Sequence, residues 1–590
     1  MDYTWDLSVL YQDFNDPKIE SDFDALKALC RDAKEMLSQK DAEPKKVLEA
    51  CEDKMEEVSR LISSLSSFAS LSLAVDAGNE AAQQLMDRLE VFFVQVSLLS
   101  SALTRYVGGV EDLEKLIEES PKLQRVDFAL RQKKLEAAHL MDPAIEEWML
   151  KMSLTGSNAF SNLRDKLDAT LTVDYRGEKL PLSAVRSKAY DPDPDVRREA
   201  YEAELAAYAK IEIPMAACLN SIKGESLTSI EATHFDSILD ETLFYSNMDR
   251  ATLDAMLTAI REALPAFRRY LRKKGEILGH KKGLPFYDLF APIAPKDYTP
   301  PTFTIEEARQ KLMTEMGKFT PDMAAFIDHA FQNRWIDVFP REGKGGGAFC
   351  AGLHHLDQSR VLTNFAGSFS DVSTLAHELG HAWHNRCMAG LPASMTNAPM
   401  PLAETASIFN ETLLANAAMA QAGKAERFTL LEGSLMETTQ CVVDIYSRYL
   451  FESAVIEKRK ERTLSVSELK QLMLDAQEQS YGDGLDPDLR HPYMWACKSH
   501  YYIPGFSFYN FPYAFGQLFG AGVFSQYRQE GEAFVPKYCR LLRSCGSGMV
   551  ADVAASVGID VRSVDFWRES LNVYVRQIDQ FITLADELMA

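Results

Sequence analysis

Apolar residues recur at helical spacing along most of this chain, and that period leaves little room for extended sheet. In FDALKALCRDAKEML, Phe23, Leu26, Leu29 and Cys30 share one helical face. The segment MDRLEVFFVQVSLLSSALTRYV, from Met86, is apolar enough to lie in a helical core. The first 165 or so residues therefore read as a run of amphipathic helices without a fixed repeat. The period changes to two at Leu171, Val173 and Tyr175, and Arg176-Gly177 supplies a turn, which predicts a hairpin. The aspartates and prolines of DPDPDVRREAY then start another helix, so a boundary is expected near residue 188, between a helical domain over 1–188 and a second domain over 189–590. Asp249 suits an N-cap, a proline-rich connector spans 291–303, and Thr304 with Glu307 has capping-box spacing. The glycine-rich GKGGGAFC (343–350) lacks the ending of a phosphate-binding loop, and both a mobile loop over a cleft and an ordinary surface loop fit it. SRVLTNFA (359–366) reads as a short strand. The fold class expected is mainly α, with a small β-sheet over about 335–366 beside the helix that follows.

Charge and punctuation exclude several classes of function. A net charge of −23 would repel a phosphate backbone, so no nucleic-acid partner is expected. The start, MDYTWDLSVLYQDF, has no basic stretch followed by an apolar one, and no unbroken run of about 18 apolar residues occurs, so neither a signal peptide nor a membrane partner is expected. The nine cysteines are scattered, odd in number and without a C-x-x-C pair, which suits free thiols in a reducing cytoplasm.

Three of the 11 histidines fall in LAHELGHAWHN (375–385). A helix over about 372–389, capped by Asp371 or Ser373 and ended by Gly390 and Pro392, would bury Leu375, Leu379, Ala382 and Trp383 as one stripe. His377 and His381 lie one turn apart on another side and can grip one ion. Glu378 is about 100° further round the axis, within reach of water on that ion without being a ligand. This is the H-E-x-x-H pattern, in which zinc acidifies a bound water and the glutamate takes its proton. His384 lies about 10 Å along the axis from His377, too far to share its ion, and fits a packing role.

A third ligand is needed. PMPLAETASIFNETLLANAAMAQAG follows, with Pro401 near a first helical turn and Gly423 past the end. Glu404 is far enough beyond His381 for a second helix to return, and the set His377, His381 and Glu404 leaves one coordination position open. Glu411, two turns on from Glu404, could accept a hydrogen bond from a ligating imidazole. A peptide-cleaving site also needs donors for an oxyanion. The stretch at 491–520 offers His500, Tyr501, Tyr502, Tyr509 and Tyr513, of which His500, Tyr509 and Tyr513 are the least suited to mere packing.

HELGHAWH, PLAETASIFNE and SHYYIPGFSFYNFPYAFG together resemble oligoendopeptidase F, within the thimet-oligopeptidase family of zinc metallopeptidases. WDLSVLY (5–11) and FYDLFAP (286–292) resemble it too, so the likeness covers nearly the whole chain. The resemblance implies one zinc on His377, His381 and Glu404, Glu378 as general base, Glu411 supporting the ligands, and His500 with Tyr513, or else Tyr509, at the oxyanion; Tyr502 is the spare tyrosine. It implies a two-lobed helical body with a deep central channel for short unfolded peptides, and a catalytic zinc-peptidase domain over 189–590. It suggests further that SRVLTNFA lines the channel as an edge strand, pairing with the substrate backbone. The expected function is a zinc endopeptidase cutting internal bonds of short oligopeptides. One alternative is a zinc exopeptidase, which needs a fixed charge for a peptide terminus; Arg360, Lys498 and Arg543 are candidates. The other is a non-catalytic helical peptide-binding protein with structural histidines.

Overall fold

The computed structural model describes residues 2–39, 42–296 and 298–588. The chain is mainly α, as expected, with one two-stranded and one three-stranded sheet among the described residues. Packing gathers it into two compact units. The first takes Met1–Leu140, Pro300–Ala417 and Gln526–Gly558; the second takes Met141–Thr299, Ala418–Ser525 and Ile559–Ala590. Each is assembled from three chain segments, and residue 188 lies inside the second.

In the first unit, helices Pro17–Leu37, Pro44–Val75 and Glu80–Gly109 pack on one another. Asp16 and Asn79 cap the first and third through side-chain oxygens, and proline opens the first and second. Leu26, Leu61, Leu65 and Leu89 are fully buried between them, each contributing about 2 kcal/mol by leaving water. By length and mean hydropathy the second and third helices could each cross a membrane, although no unbroken apolar run marks them in the sequence. Here their buried residues form a helical core with Tyr11 and Leu353.

Leu353 ends one strand of the small sheet, which ties that sheet to the helices. Gln358–Leu362 is the central strand, parallel to Ile336–Asp337 and antiparallel to Phe349–Leu353. SRVLTNFA is therefore not an edge: its first four residues are buried with a strand on either side, and the outer position belongs to Phe349–Leu353. The glycine-rich run before that strand is tied down. Lys344 donates to the Asp337 carboxylate and to the Phe339 and Thr363 carbonyls, and the Asn364 amide holds the Gly345 and Gly347 carbonyls. Thr304 and Glu307 form the expected capping box at helix Ile305–Phe319.

In the second unit, the expected hairpin pairs Thr172–Tyr175 with Glu178–Pro181. Arg176 and Gly177 both take positive φ, 49° and 85°, as a two-residue hairpin turn requires. Asp193 caps the 40-residue helix Pro194–Thr233, and Asp249 caps Arg250–Ile277, which packs along Val564–Leu588. A π-helical turn, Gln440–Asp444, interrupts the run between helices Lys424–Thr439 and Ile445–Arg459. The core holds Trp495, Tyr208, Tyr501 and Tyr502. Buried cations here are paired: Lys223 with Glu452, and Lys274 with Glu432, both at 2.6 Å.

Candidate metal centre

The histidine helix spans Phe369–Cys387, starting earlier and ending sooner than the expected 372–389. Its cap is Ser368, not Asp371 or Ser373: the Asp371 amide donates to Ser368 Oγ and the Ser368 amide donates to the Asp371 carboxylate. Gly367, at φ 103°, turns the chain immediately before the cap. Leu375, Leu379, Ala382 and Trp383 are buried as one stripe, which points His377 and His381 the other way.

The chain returns through a short turn of helix, Met400–Ala403, opened by Pro401, and then helix Thr405–Gln421. Glu404 sits at the junction between them, in the C-cap position of the first. Close approach of this segment depends on Gly380. A Cβ there would lie 2.6 Å from the Ala406 carbonyl oxygen and 2.7 Å from Ser407 Cα. The Asn410 amide donates to the Ala376 carbonyl, a second tie between the two helices. Ser407 Oγ donates to the Glu404 carboxylate at 2.7 Å and fixes its rotamer.

Three donor atoms meet as a result. His377 Nε2 and His381 Nε2 are 3.2 Å apart, and each is 3.3 Å from Glu404 Oε2. Ligands of a tetrahedral ion with bonds of about 2.0–2.1 Å stand roughly 3.3 Å apart. The nitrogen and oxygen donors and their spacing therefore fit zinc, and among the described residues this is the one such cluster of histidine, cysteine and carboxylate groups. The three side chains are 24, 23 and 30% exposed, so an ion can reach them. His377 Nδ1 lies 3.1 Å from Glu411 Oε1. A carboxylate only accepts, so Nδ1 carries a proton and Nε2 is the nitrogen left to bind an ion once its own proton is shed.

Electrostatics favour a cation at this point. Burial pushes the His377 imidazolium down, but Glu404 and Glu411 outweigh it and raise the group to about 10. Burial pushes Glu404 up, and the two histidines overcome this and hold it well below the usual carboxylate range. Glu378 is 6% exposed, and burial raises its carboxyl above the ordinary value despite both histidines. His384 is no ligand: it is buried, and its Nε2 donates to the Leu542 carbonyl at 3.1 Å.

In the second unit, His500 stacks on Tyr509 with ring centres 4.9 Å apart, and Tyr513 lies 6.0 Å away. Tyr509 and Tyr513 are half-buried, whereas Tyr501 and Tyr502 belong to the core. Tyr502 packs beneath Arg164, so the spare tyrosine is spent. Burial, then the cations Arg448 and Lys498, lower the His500 imidazole, which keeps it neutral. Sequence reasoning passed over Gly380, Ser407 and Asn410. The signal for Gly380 was present, as a glycine inside a helix between two histidines.

Comparison with known proteins agrees over most of the chain. The model of peptidase family M3 matches residues 187–573, and the oligopeptidase F model matches residues 109–172. An oligoendopeptidase F homolog of Lactococcus lactis subsp. lactis is 24% identical over 603 residues, covering 99% of this chain and 97% of its own. Oligopeptidase PepF of Bacillus subtilis is 23% identical over 538 residues, covering 89% and 78%. The crystal structure of oligoendopeptidase-F from Enterococcus faecium superposes with a TM-score of 0.71 at 19% identity, over 96% of this chain and 98% of that one, and so shares the fold.

Proposed function

Because the chain belongs to peptidase family M3 and is a metallopeptidase, we propose that it is a zinc endopeptidase cutting internal bonds of short unfolded oligopeptides, with His377, His381 and Glu404 as the ligands. The observation that carries this reading is the triangle of donor atoms, with sides of 3.2, 3.3 and 3.3 Å, two of them on the helix that also carries Glu378.

When bound, zinc supplies Lewis acidity towards a carbonyl oxygen and water. Glu378 accepts a proton at its carboxylate from the attacking water and delivers it to the leaving amine nitrogen. Its raised pKa suits a group that must both take and give. Glu411 holds the His377 tautomer, and Ser407 holds Glu404. His500 and Tyr513, ahead of Tyr509, donate hydrogen bonds to the oxyanion that develops on the scissile carbonyl. The outer strand Phe349–Leu353 takes the place expected of SRVLTNFA: a peptide adding there pairs through its backbone, which tolerates many sequences. Nine cysteines without a disulfide favour a cytoplasmic location.

The test uses a peptide blocked at both ends, parent protein and Glu378→Gln, with and without a chelator. Interior cleavage by the parent, lost with chelator and restored by zinc, is expected. Glu378→Gln should hold zinc at one ion per chain yet turn over about 10²–10⁴-fold more slowly. Failure to cut the blocked peptide while trimming its unblocked form would replace the endopeptidase by an exopeptidase. A protein that takes up no transition metal would be a peptide-binding scaffold.

A further inference from the structure

Two of the three cations that the sequence offers as anchors for a peptide terminus are spent inside the first unit. Arg360 is 1% exposed and spends its guanidinium on the Asp6 and Ser359 carbonyls and the Gln358 amide oxygen. Arg543 donates to the Cys387 and Ala389 carbonyls, closing the C-terminal end of the histidine helix. That tie also brings two cysteines together. His384 and Cys387 are three residues apart and share a face of the histidine helix; Cys539 and Leu542 share a face of helix Val535–Ser544 by the same spacing. His384 Nε2 joins the two faces through the Leu542 carbonyl. With the faces packed, the Cys387 thiol donates a hydrogen bond to the Cys539 sulfur. Both helices belong to the first unit.

The surroundings suit these two sulfurs to react with each other. Cys387 and Cys539 are both half-buried, so a small oxidant can reach them. Tyr538 beside them is fully buried, with the Phe409 and Phe319 ring centres 4.4 and 5.3 Å from its own, and gives the pair an apolar backing. Cys545, near the same tyrosine, is buried and spends its thiol on the Leu541 carbonyl at 3.3 Å. The hydrogen bond from Cys387 lowers the Cys539 thiol below its ordinary value, against burial and the Asp322 carboxylate. The thiolate is the reactive form of cysteine, and here the second sulfur needed to resolve an oxidised one is already in contact.

We propose that Cys387 and Cys539 are a redox modification site, forming a reversible disulfide that staples the far end of the histidine helix to helix Val535–Ser544. The oxidant is a peroxide. The Cys539 thiolate attacks one peroxide oxygen, the O–O bond breaks, and a sulfenic acid forms as hydroxide leaves and takes a proton to become water. Cys387 then attacks the sulfenic sulfur: the S–S bond forms, the S–O bond breaks, and the hydroxyl leaves with the Cys387 proton as a second water. Two thiols thus give up two electrons, and one hydrogen peroxide is reduced to two waters. In a reducing compartment the pair rests as thiols and closes only transiently. The staple closes a loop of about 150 residues, so it stabilises the body that holds the metal ligands while an oxidant is present. This chemistry is independent of peptide cleavage.

The test treats the full-length, zinc-loaded protein with a few equivalents of hydrogen peroxide, alkylates the remaining thiols and identifies cross-linked peptides by mass spectrometry. The countable thiols should fall from nine to seven, with Cys387 joined to Cys539 of the same chain, and a phosphine reductant should restore nine. The oxidised parent should melt about 3–6 °C above its reduced form. Cys387→Ala and Cys539→Ala should each abolish that rise, and Cys545→Ala should keep it. The linkage is decided on the parent alone, so a variant that fails to fold leaves the test standing. A link from either sulfur to Cys545, or sulfinic acid at Cys539 without any link, overturns the inference. So does survival of all nine thiols at a peroxide dose that oxidises free cysteine.

Discussion

Gly380 and Ala406 touch backbone to backbone across the two helices of the metal centre, with no room for a methyl group between them. Glu404 is two residues from that contact, so the contact sets how far its carboxylate stands from His377 and His381. Gly380→Ala should push the segments apart and cost about 1–3 kcal/mol of stability. The sharper effect is on the ion: zinc affinity, measured against a chromophoric chelator, should fall at least about tenfold. A variant that melts lower but holds zinc like the parent would separate the packing from the site.

Glu411 does not belong to the donor triangle, yet it fixes the proton on His377. Glu411→Ala should weaken zinc binding by about 10–100-fold, with turnover at saturating zinc affected much less. Unchanged zinc affinity would show that His377 keeps its tautomer without help.

Tyr509 and Tyr513 both flank His500, and their burial is similar. Tyr513→Phe should lower kcat by about 10²–10³-fold with little change in KM, as expected on removing an oxyanion donor. Tyr509→Phe, whose ring stacks flat on His500, should lower kcat less. Reversed magnitudes would exchange the two roles.

His384 links acid stability to the histidine helix. Burial and the neighbouring His381 hold it near 4, against 6.5 for an exposed imidazole, so it is neutral in the folded protein. The unfolded chain takes up a proton below about 6.5, which makes folding less favourable as pH falls from there towards 4. For this group the loss between pH 7 and pH 5 is on the order of 2 kcal/mol. His384→Gln retains a donor for the Leu542 carbonyl without the titration. The difference in urea-unfolding free energy between parent and variant should therefore shift by that amount in favour of the variant at pH 5. Parallel pH profiles would remove His384 as the cause.

Much of the site was legible because α-helical period is a rigid ruler. His377 and His381 at i and i+4, and Glu404 and Glu411 two turns apart, could be assigned to faces before any coordinate was known. What that ruler cannot report is the order of strands and the partners of loops. The sequence marks 359–366 as extended, but nothing in SRVLTNFA says that the glycine-rich run will fold back beside it and take the edge. The helix start was misplaced because Ser368, Asp371 and Ser373 are all competent caps, and the choice was made by a glycine at positive φ one residue earlier.

The threefold weaving of each unit bears on how the protein is made. The histidine helix belongs to a body whose last segment is Gln526–Gly558, and the other body takes its last segment from Ile559 onward. On the ribosome the early helices must wait, with apolar surface uncovered, until nearly the whole polypeptide has emerged. A chain cut short before Gln526 therefore yields a product in which neither body is whole.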